Sequence, residues 1–326
     1  MPTIAPVSDK WEFWIDRGGT FTDVIGVAPD GRRVLRKVPS TAGGDAALDP
    51  GLHAALAMLA PAGAAPSRVA WVTTRGFGDA LRIGQQERPE LFALHVRRPD
   101  PLYERAVEID ERVAADGTVL EAPDPSRVRA ALRAARDAGC DAVAIALLHG
   151  WRHVTHERLV AGVARDLGLP QVSVSHELAP LPRLVPRGDT TVFDARFAPT
   201  LRGYAGRLAA QLASFAPGAR LYFMQSSGGL AAADGFRPAA SVLSGPAGGL
   251  IGMARLGQAL GESRLIGFDM GGTSTDVSLY DGRYARRFEH RIGGARLAVP
   301  MLDVHTLAAG GGSIPAPPAG PPVVRA

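Results

Sequence analysis

The chain has 326 residues, of which 46% are hydrophobic and 21% are charged, a composition typical of a globular protein with about two domains. It contains no apolar run of membrane-spanning length and no charged-then-apolar leader, which argues against a membrane-spanning or secreted protein. The net charge is +4, but the arginines are scattered among acids without a basic cluster, which argues against nucleic-acid binding. The one cysteine, Cys140, excludes an internal disulfide and favours a reducing, cytoplasmic location. It begins an apolar run, so we expect a core residue.

The first predicted element is a strand that runs into a glycine-rich phrase. Residues 16–24 read Asp-Arg-Gly-Gly-Thr-Phe-Thr-Asp-Val after an apolar run. The β-branched valine at the end predicts that the chain returns as a second strand, so the phrase should be a hairpin. Residues 33–38 predict a third strand after a Pro-Asp-Gly turn, and residues 46–59 predict a helix.

The next region has the pattern of a parallel α/β sheet. Strands and amphipathic helices alternate in the order strand 69–73, helix 126–136, strand 142–148, helix 155–167 and strand 172–175. Ser126 or Asp124 is the expected cap of the first of these helices. Three histidines, His149, His153 and His156, lie close together. We interpret them as part of a solvated helix start, since a zinc site would need further ligands in a suitable geometry.

The second half begins with a predicted boundary near residue 190. Beyond it we expect a long helix over residues 192–214, bent near Pro199, and a strand over residues 221–224. A glycine-rich turn over residues 243–249 then opens a helix that includes Gly245 and Gly248 at its start. Such a turn suits an anion at the helix N-terminus, and it equally suits close packing of the helix on a sheet.

The phrase at the N-terminus occurs a second time. Residues 269–277 read Asp-Met-Gly-Gly-Thr-Ser-Thr-Asp-Val, again after an apolar run. One copy would be compatible with an ordinary tight turn, because Asp-Gly and Gly-Gly are common turn pairs. Two copies with the same spacing predict a duplicated fold that holds one ligand from two sides.

The residue types in the phrase suit a phosphate bound with Mg²⁺. Glycine lets main-chain N–H groups approach an anion, and threonine hydroxyls can donate to phosphate oxygens. The candidate donors are Gly18, Gly19, Thr20, Thr22, Gly271, Gly272, Thr273 and Thr275. Carboxylates would repel a phosphate unless Mg²⁺ lay between them. The candidate metal ligands are Asp16, Asp23, Asp269 and Asp276.

These stretches resemble the hydantoinase A/5-oxoprolinase family. The matching stretches are residues 15–24, 74–77, 185–190, 243–249, 267–277 and 308–313, in the family's order. The resemblance implies an α/β fold of the actin-like ATPase type, in which two ribonuclease-H-like halves close on Mg-ATP. It also implies ATP-dependent opening of a cyclic amide such as 5-oxoproline or a hydantoin, through phosphorylation of the amide oxygen.

The resemblance also assigns roles to residues. Asp16 and Asp269 would be catalytic and would face Mg²⁺ and the attacking group, while the glycines and threonines would bind phosphates. Independently of the resemblance, Arg187 and Asp189 are substrate candidates, because a charged pair at a domain junction could meet a carboxylate-bearing substrate. A structural salt bridge is the alternative interpretation for either residue singly. A hydantoinase B-type partner subunit and a homo-oligomer are plausible for the family.

Two departures from the family pattern affect the expected domains. A segment of the type Gly-Thr-Thr-x-x-Thr-Asn-Ala is absent before residue 69, and family members continue beyond Ser313. We therefore expect an N-terminal domain over residues 1–190, an incomplete second half over residues 191–314 and a Pro-rich disordered tail over residues 315–326. Alternatives are an ATPase subunit of a ketone carboxylase, a truncated nucleotide-binding remnant and, more distantly, a sugar kinase.

Overall fold

The computed structural model describes residues 10–17, 21–39, 66–85, 92, 94–95, 99–272, 274–292 and 295–314. The predicted helix over residues 46–59 and the predicted tail over residues 315–326 lie outside these ranges.

The strands in chain order are β1 (Glu12–Arg17), β2 (Phe21–Val27), β3 (Arg33–Pro39), β4 (Val69–Thr74), β5 (Arg105–Ile109), β6 (Arg112–Val113), β7 (Val119–Glu121), β8 (Ala142–Ile145), β9 (Gln171–Val174), β10 (Tyr222–Met224), β11 (Leu230–Ala232), β12 (Leu265–Met270), β13 (Thr275–Tyr280), β14 (Arg286–Arg287), β15 (His290–Ile292), β16 (Ala295–Leu297), β17 (Met301–Leu302) and β18 (Val304–Leu307). The helices are α1 (Ala80–Ile83), α2 (Pro125–Asp137), α3 (Thr155–Asp166), α4 (Ser175–Leu178), α5 (Leu184–Phe215) and α6 (Ser244–Leu260).

The chain divides into two compact units, each built from separate segments. The first, which we call the hairpin unit, comprises residues 1–42, 248–285 and 303–326. The second, which we call the sheet unit, comprises residues 43–247 and 286–302. Both copies of the repeated phrase therefore belong to the hairpin unit.

The hairpin unit contains two three-stranded antiparallel sheets. One has the strand order β1-β2-β3 and the other has the order β12-β13-β18. Helix α6 packs on one face of the second sheet, because a Cβ atom at Gly267 of β12 would lie 2.7 Å from the Met253 sulfur. The apolar side chains on the opposite face, including Ile266 and Phe268, are exposed.

The sheet unit is organised around a four-stranded parallel sheet of order β5-β4-β8-β9, which confirms the predicted parallel α/β region. β4 and β8 are buried along their whole length, as expected for parallel strands with helices on both faces. Helices α2 and α3 cover one face through residues such as Leu132 and Val160. Helix α5 covers the other face, where Val192 and Ala195 pack with Trp71.

The ends of α2 follow from its sequence. The Asp124 carboxylate accepts a hydrogen bond of 2.8 Å from the Ser126 N–H group, so Asp124 is the cap of the two residues predicted. Pro125 occupies the first helical position, where its missing N–H group costs nothing. Gly139, with φ of 91°, takes the left-handed conformation just beyond the helix.

Helix α5 differs from the prediction at its N-terminus. It begins at Leu184, whereas the predicted helix began at residue 192, and Pro199 lies inside it. The predicted domain boundary near residue 190 therefore falls within a continuous helix. Pro186 is tolerated because it lies in the first turn, where N–H groups have no helical acceptor.

Cys140 is buried, as predicted for a core residue. No helix in the described part of the chain has both the length and the apolar character needed to cross a membrane.

Candidate active site

The first copy of the repeated phrase forms the predicted antiparallel hairpin. Asp16 of β1 lies directly opposite Asp23 of β2, and Arg17 lies opposite Thr22 in the last pair before the turn. Directly opposed residues project from the same face of a sheet, so both carboxylates share one face. The other predicted donors of this turn lie outside the described residues: Gly18, Gly19 and Thr20.

The second copy has the same register. Asp269 of β12 lies opposite Asp276 of β13, and Met270 lies opposite Thr275 in the last pair before the turn. Thr273 lies outside the described residues. The repeated sequence therefore specifies a repeated geometry, in which two opposed carboxylates stand beside a glycine-containing turn.

The carboxylates of the two copies influence one another. Burial raises the pKa of Asp16, and the negative charges of Asp23 and Asp269 raise it further. The Lys37 ammonium opposes this rise, and its Nζ lies 2.9 Å from the Asp23 carboxylate. Like charges at this site therefore favour a bound cation or proton.

In the second copy, a hydroxyl takes the place of the lysine. The Thr306 hydroxyl of β18 donates a hydrogen bond of 2.6 Å to Asp276. Burial raises the pKa of Asp276, this hydrogen bond lowers it, and the charge of Asp269 raises it. Asp269 lies beside helix α6, where a Cβ atom at Gly249 would be 3.7 Å from its Oδ2 atom.

The Gly-rich stretch over residues 308–313 lies against the second turn. The N–H groups of Gly311 and Gly312 donate to the carbonyl oxygens of Gly271 and Gly272, each at 2.9 Å. The Thr275 hydroxyl donates to the Ala309 carbonyl at 2.6 Å. These contacts hold two stretches that the sequence had singled out separately, the repeated phrase with its turn and the Gly-rich stretch, in one site.

The predicted glycines at the start of α6 have different surroundings. Gly245 is exposed, and a Cβ atom there would meet no other atom within 4 Å. Gly248 lies one turn from the helix start and is partly exposed. Further along α6, a Cβ atom at Gly257 would clash with Leu265. Close packing therefore applies to the middle of α6, where Gly257 lies against Leu265. The anion-binding interpretation applies to the first turn of α6, where Gly245 is exposed.

No group of three or more His, Cys, Asp and Glu side chains within the described ranges is arranged to hold a metal ion. A cation beside the four aspartates would therefore need other oxygen ligands. Mg²⁺ typically has such ligands, since it is commonly bound by one or two carboxylates together with phosphate oxygens and water.

Arg187 lies in a buried polar network of the sheet unit. Its guanidinium donates to the Glu157 carboxylate at 3.0 Å and to the Leu147 carbonyl at 2.7 Å, and it also bonds the Ser175 hydroxyl. Arg187 is 1% exposed. These contacts correspond to the structural interpretation that the sequence left open for this residue.

Asp189 has more open surroundings than Arg187. A quarter of its side-chain surface is exposed, and its Oδ2 atom lies 4.0 Å from Arg296 Nη1. Burial raises the pKa of Asp189 to about 7, against the effect of the Arg291 charge. Asp189 can therefore carry or release a proton near neutral pH.

Sequence reasoning missed two carboxylate–histidine pairs in the sheet unit, one buried and one partly buried. His156, expected at a solvated helix start, is buried, and its Nδ1 atom lies 2.7 Å from Glu111. His176 Nδ1 lies 2.7 Å from Glu157, and burial of Glu157 is outweighed by hydrogen bonds and by Arg187, which together lower its pKa. The signal in the sequence was weak, because Glu111 and His156 are far apart in the chain.

Models of one protein family match most of the chain. The model described as the hydantoinase/oxoprolinase N-terminal region matches residues 12–72 and 57–168, and the hydantoinase/oxoprolinase model matches residues 187–320. All but one of the stretches that carried the resemblance lie within these matches. The exception, residues 185–190, begins just before the second match.

Curated relatives are similar over much of the chain. It is 40% identical to the 5-oxoprolinase of Saccharomyces cerevisiae, over 76% of this chain and 21% of that protein. It is 36% identical to 5-oxoprolinase 1 of Arabidopsis thaliana, over 94% of this chain and 28% of that protein. It is 31% identical to the caprolactamase subunit alpha of Pseudomonas jessenii, over 94% of this chain and 48% of that subunit. The chain thus spans between a fifth and a half of the length of these relatives.

Two solved structures share the fold. The ATP-dependent caprolactamase of Pseudomonas jessenii superposes with a TM-score of 0.74 at 28% identity, over 93% of this chain and 48% of that chain. A nucleotide-free acetone carboxylase superposes with a TM-score of 0.75 at 23% identity, over 91% of this chain and 48% of that chain. The second similarity is one of fold alone.

Proposed function

This chain belongs to the hydantoinase/oxoprolinase family, and we propose on that basis that it takes part in ATP-dependent hydrolysis of a cyclic amide of the 5-oxoproline or hydantoin type. The similarity to 5-oxoprolinases and to an ATP-dependent caprolactamase supports this reaction class. Both names describe the opening of a ring that contains an amide. Because the chain spans at most half of these proteins, the activity is proposed for the protein to which these residues contribute.

We propose the actin-like ATPase arrangement for the fold. The repeated hairpin supports it, since two ribonuclease-H-like halves would each contribute one phosphate loop. Under this proposal residues 1–190 and 191–314 are derived from the two halves, although the compact units do not follow that division.

The observation that carries the proposal is the pair of hairpins with opposed aspartates in the same register. Burial raises the pKa of Asp16, repulsion from Asp23 and Asp269 raises it further, and a divalent cation would relieve that repulsion. Carboxylate oxygens are also the ligand type that Mg²⁺ prefers. We therefore propose Asp16, Asp23, Asp269 and Asp276 as the candidate carboxylates, one or two of which would hold Mg²⁺ together with phosphate oxygens and water.

The turns fit the role of binding phosphates. The proposed donors are the turn residues of both copies, with Gly245 and Gly248 at the start of α6. Gly249 of α6 stands beside Asp269, since a Cβ atom there would lie 3.7 Å from the Asp269 Oδ2 atom. Thr275 is the exception, because its hydroxyl already donates to Ala309 and thereby holds the Gly-rich stretch in place.

Bound Mg-ATP would supply the phosphoryl group that activates the amide oxygen. The residues of this chain would contribute orientation and electrostatics, which are the main protein contributions to phosphoryl transfer. Asp16 and Asp269, as ionised carboxylates, would orient the water that attacks the activated amide carbon and accept its proton. The turn N–H groups would stabilise the charge that develops on phosphate oxygens.

The partner and location are part of the proposal. The name of the caprolactamase subunit alpha supports a partner subunit, for which a hydantoinase B-type chain is our candidate. The single, buried cysteine supports a cytoplasmic location. Arg187 and Asp189 remain predicted substrate residues. Arg187 would act indirectly, by positioning Glu157 and Ser175, to which it is hydrogen-bonded.

Calorimetric titration of Mg-ATP into the purified chain tests the proposal. Asp16→Asn and Asp269→Asn should each weaken Mg-ATP binding by at least about tenfold. Removal of a group that only positions a metal ligand already costs about tenfold or more. Asp281→Asn is the matched control, because Asp281 is an exposed aspartate of the same unit that follows β13. Unchanged binding in either test variant, or no binding to the folded wild-type chain, would contradict the two-hairpin site.

Turnover assays then separate the reaction classes. ATP hydrolysis stimulated by 5-oxoproline or caprolactam would support the cyclic-amide reaction. Stimulation only by acetone with bicarbonate would instead support a ketone carboxylase.

A further inference from the structure

The sheet unit contains a pocket that the hairpin site does not use. Its volume of about 390 Å³ is within the range typical of small-molecule sites. One wall comes from residues 76–85, which follow β4, and the other comes from residues 183–185 at the start of α5. Two of the stretches that carried the family resemblance, residues 74–77 and 185–190, therefore meet at this pocket.

The topology of the parallel sheet places the pocket where open α/β sheets bind ligands. Along the chain β4 comes first, and it lies between β5 and β8, which come second and third. The chain leaves β4 towards the face that α5 covers, since Leu81 of α1 packs against Gly188. It leaves β8 through α3 on the opposite face. Such a reversal of strand order opens a ligand-binding crevice at the carboxyl ends of the strands, and the pocket lies beside that end of β4.

The wall that follows β4 is held in place by other residues of the sheet unit. The N–H groups of Gly76 and Gly78 donate to the Glu108 Oε1 atom at 3.1 Å and 2.7 Å. The Arg112 guanidinium lies over the Phe77 ring, 5.4 Å from its centroid. The pocket is therefore preformed, so that binding needs little reorganisation of this wall.

Asp79 gives the pocket a carboxylate without a partner among the described residues. Asp79 is the N-cap residue of α1, but its side chain does not bond the N–H groups of that helix. Its side chain is exposed and forms no ion pair with the part of the chain that the structure describes. A ligand ammonium group would supply the missing partner through a charge-assisted hydrogen bond.

Arg183 supplies the opposite charge at the other wall. Its φ of 73° is in the left-handed region, which residues other than glycine seldom adopt and which is enriched at functional sites. Its Nη2 atom bonds the Glu289 carboxylate, which leaves other N–H donors of the guanidinium for a ligand. Guanidinium groups commonly bind carboxylates through two parallel hydrogen bonds.

The rest of the lining is mainly apolar. It includes Phe77, Ile83, Leu184 and Val185. An aliphatic group buried against these side chains would contribute hydrophobic free energy to binding. A ligand that matches the whole lining therefore has an ammonium group, a carboxylate and an aliphatic side chain. A pocket of this volume is small enough for one such molecule to contact both charged residues.

We propose that this pocket binds a free aliphatic amino acid in its zwitterionic form, with the ammonium group on Asp79, the carboxylate on Arg183 and the side chain against the apolar wall. This site goes beyond the proposed function and does not rest on it, because none of its residues belongs to the hairpins. The apolar wall disfavours an acidic amino acid, since a second carboxylate would be desolvated there without a partner.

Calorimetric titration of L-leucine into the full chain, without nucleotide, tests this proposal. Two analogues each lack one charged group of leucine: 4-methylpentanoate lacks the amino group, and 3-methylbutylamine lacks the carboxyl group. Each should bind the wild type at least about tenfold more weakly than leucine, because a charge-assisted hydrogen bond is lost. Glycine should also bind at least about tenfold more weakly, because it lacks the aliphatic side chain.

Two variants assign the charged groups to their residues. Asp79→Asn should weaken leucine binding by at least about tenfold without weakening the binding of 4-methylpentanoate, which has no ammonium group. Arg183→Gln should weaken leucine binding to a similar extent without weakening the binding of 3-methylbutylamine, which has no carboxylate. A merely structural role of either residue would weaken the binding of leucine and both analogues alike.

The matched controls are Asp166→Asn and Arg129→Gln. These residues form an ion pair between α3 and α2, on the opposite face of the sheet from α5. Both controls should bind leucine within about twofold of the wild type, because exposed ion pairs contribute little to stability. Circular dichroism establishes that each variant is folded.

The proposal is overturned if the folded wild type does not bind leucine, if either test variant binds leucine like the wild type, or if a test variant weakens all three ligands equally. Binding of 4-methylpentanoate as tight as that of leucine would identify an anion site instead and would also overturn it. Mg-ATP binding that depends on Asp16 is a separate measurement, so failure of the amino-acid site leaves the hairpin site in place.

Discussion

The two hairpins share a register but differ in how their second aspartate is stabilised. Asp23 is paired with the Lys37 ammonium, whereas Asp276 accepts a hydrogen bond from the Thr306 hydroxyl. In each case the partner comes from the third strand of the sheet, β3 or β18. The repeated phrase therefore specifies the backbone and the spacing of the carboxylates, while the neighbouring strand determines the charge of the site.

The hairpins also differ two residues before the first aspartate. In the first copy this position is Trp14, which is 52% exposed. In the second copy it is Gly267, which is covered by Met253 of helix α6 and lies against Ser278. The same strand position is thus open in one copy and closely packed in the other.

Substitution by valine at these equivalent positions should give the largest difference. A Cβ atom at Gly267 would lie 2.5 Å from the Ser278 hydroxyl and 2.7 Å from the Met253 sulfur. Gly267→Val should therefore lower the free energy of unfolding by about 2 kcal/mol or more. Trp14→Val should change it by less than about 0.5 kcal/mol. Urea unfolding followed by circular dichroism measures both free energies of unfolding. Equal losses in the two variants would show that the packing of α6 does not make Gly267 more sensitive to substitution than Trp14.

Thr306→Val should have an intermediate effect. It keeps the shape of the side chain but removes the hydroxyl donor to Asp276, which should cost about 1 kcal/mol of unfolding free energy at pH 7. Burial already raises the pKa of Asp276 above its ordinary value of 3.8, and loss of this donor raises it further. A carboxyl group with a raised folded-state pKa favours folding below its ordinary pKa, and this stability is lost as the pH rises through the folded-state pKa. The deficit of the variant should therefore shrink as the pH falls from 7 through the folded-state pKa and should be smallest below about pH 4. A deficit that grows over this range would contradict the assignment.

Lys37→Met should have the smallest effect on stability. The Lys37–Asp23 pair is exposed, with 59% and 48% of the side-chain surfaces accessible, so its loss should cost less than about 0.5 kcal/mol and should be screened by salt. The variant should nevertheless raise the pKa of Asp16, which Lys37 lowers. Carbon-13 NMR titration of the carboxyl groups measures this shift. Lys10→Met removes the same charge elsewhere and should leave the Asp16 titration unchanged.

Much of the fold followed from local patterns. The hairpins could be predicted because an aspartate, two glycines and a returning valine describe a complete turn within nine residues. The parallel sheet could be predicted because its strands are short apolar runs that alternate with amphipathic helices. Asp124 illustrates this, since its side chain performs the capping role that its sequence position indicated.

Features that depend on distant parts of the chain could not be predicted in the same way. The start of α5 was misplaced because Pro186 normally signals a helix end, although it is compatible with a first turn. The burial of His156 depends on Glu111, which precedes it by 45 residues. The influence of Asp269 on Asp16 depends on segments that are separated in the chain by residues 43–247 of the sheet unit.

The division of the hairpin unit along the chain has a consequence for biosynthesis. Its first segment ends near residue 42 and its next begins near residue 248, so about 200 residues of the sheet unit are synthesised in between. At roughly 5 to 20 residues per second, the N-terminal strands wait for about 10 to 40 seconds before β12 and β13 leave the ribosome. During that interval the apolar side chains of Phe13 and Ile15 belong to an incomplete unit. The sheet unit is completed later still, because its last segment, residues 286–302, is synthesised after β12 and β13.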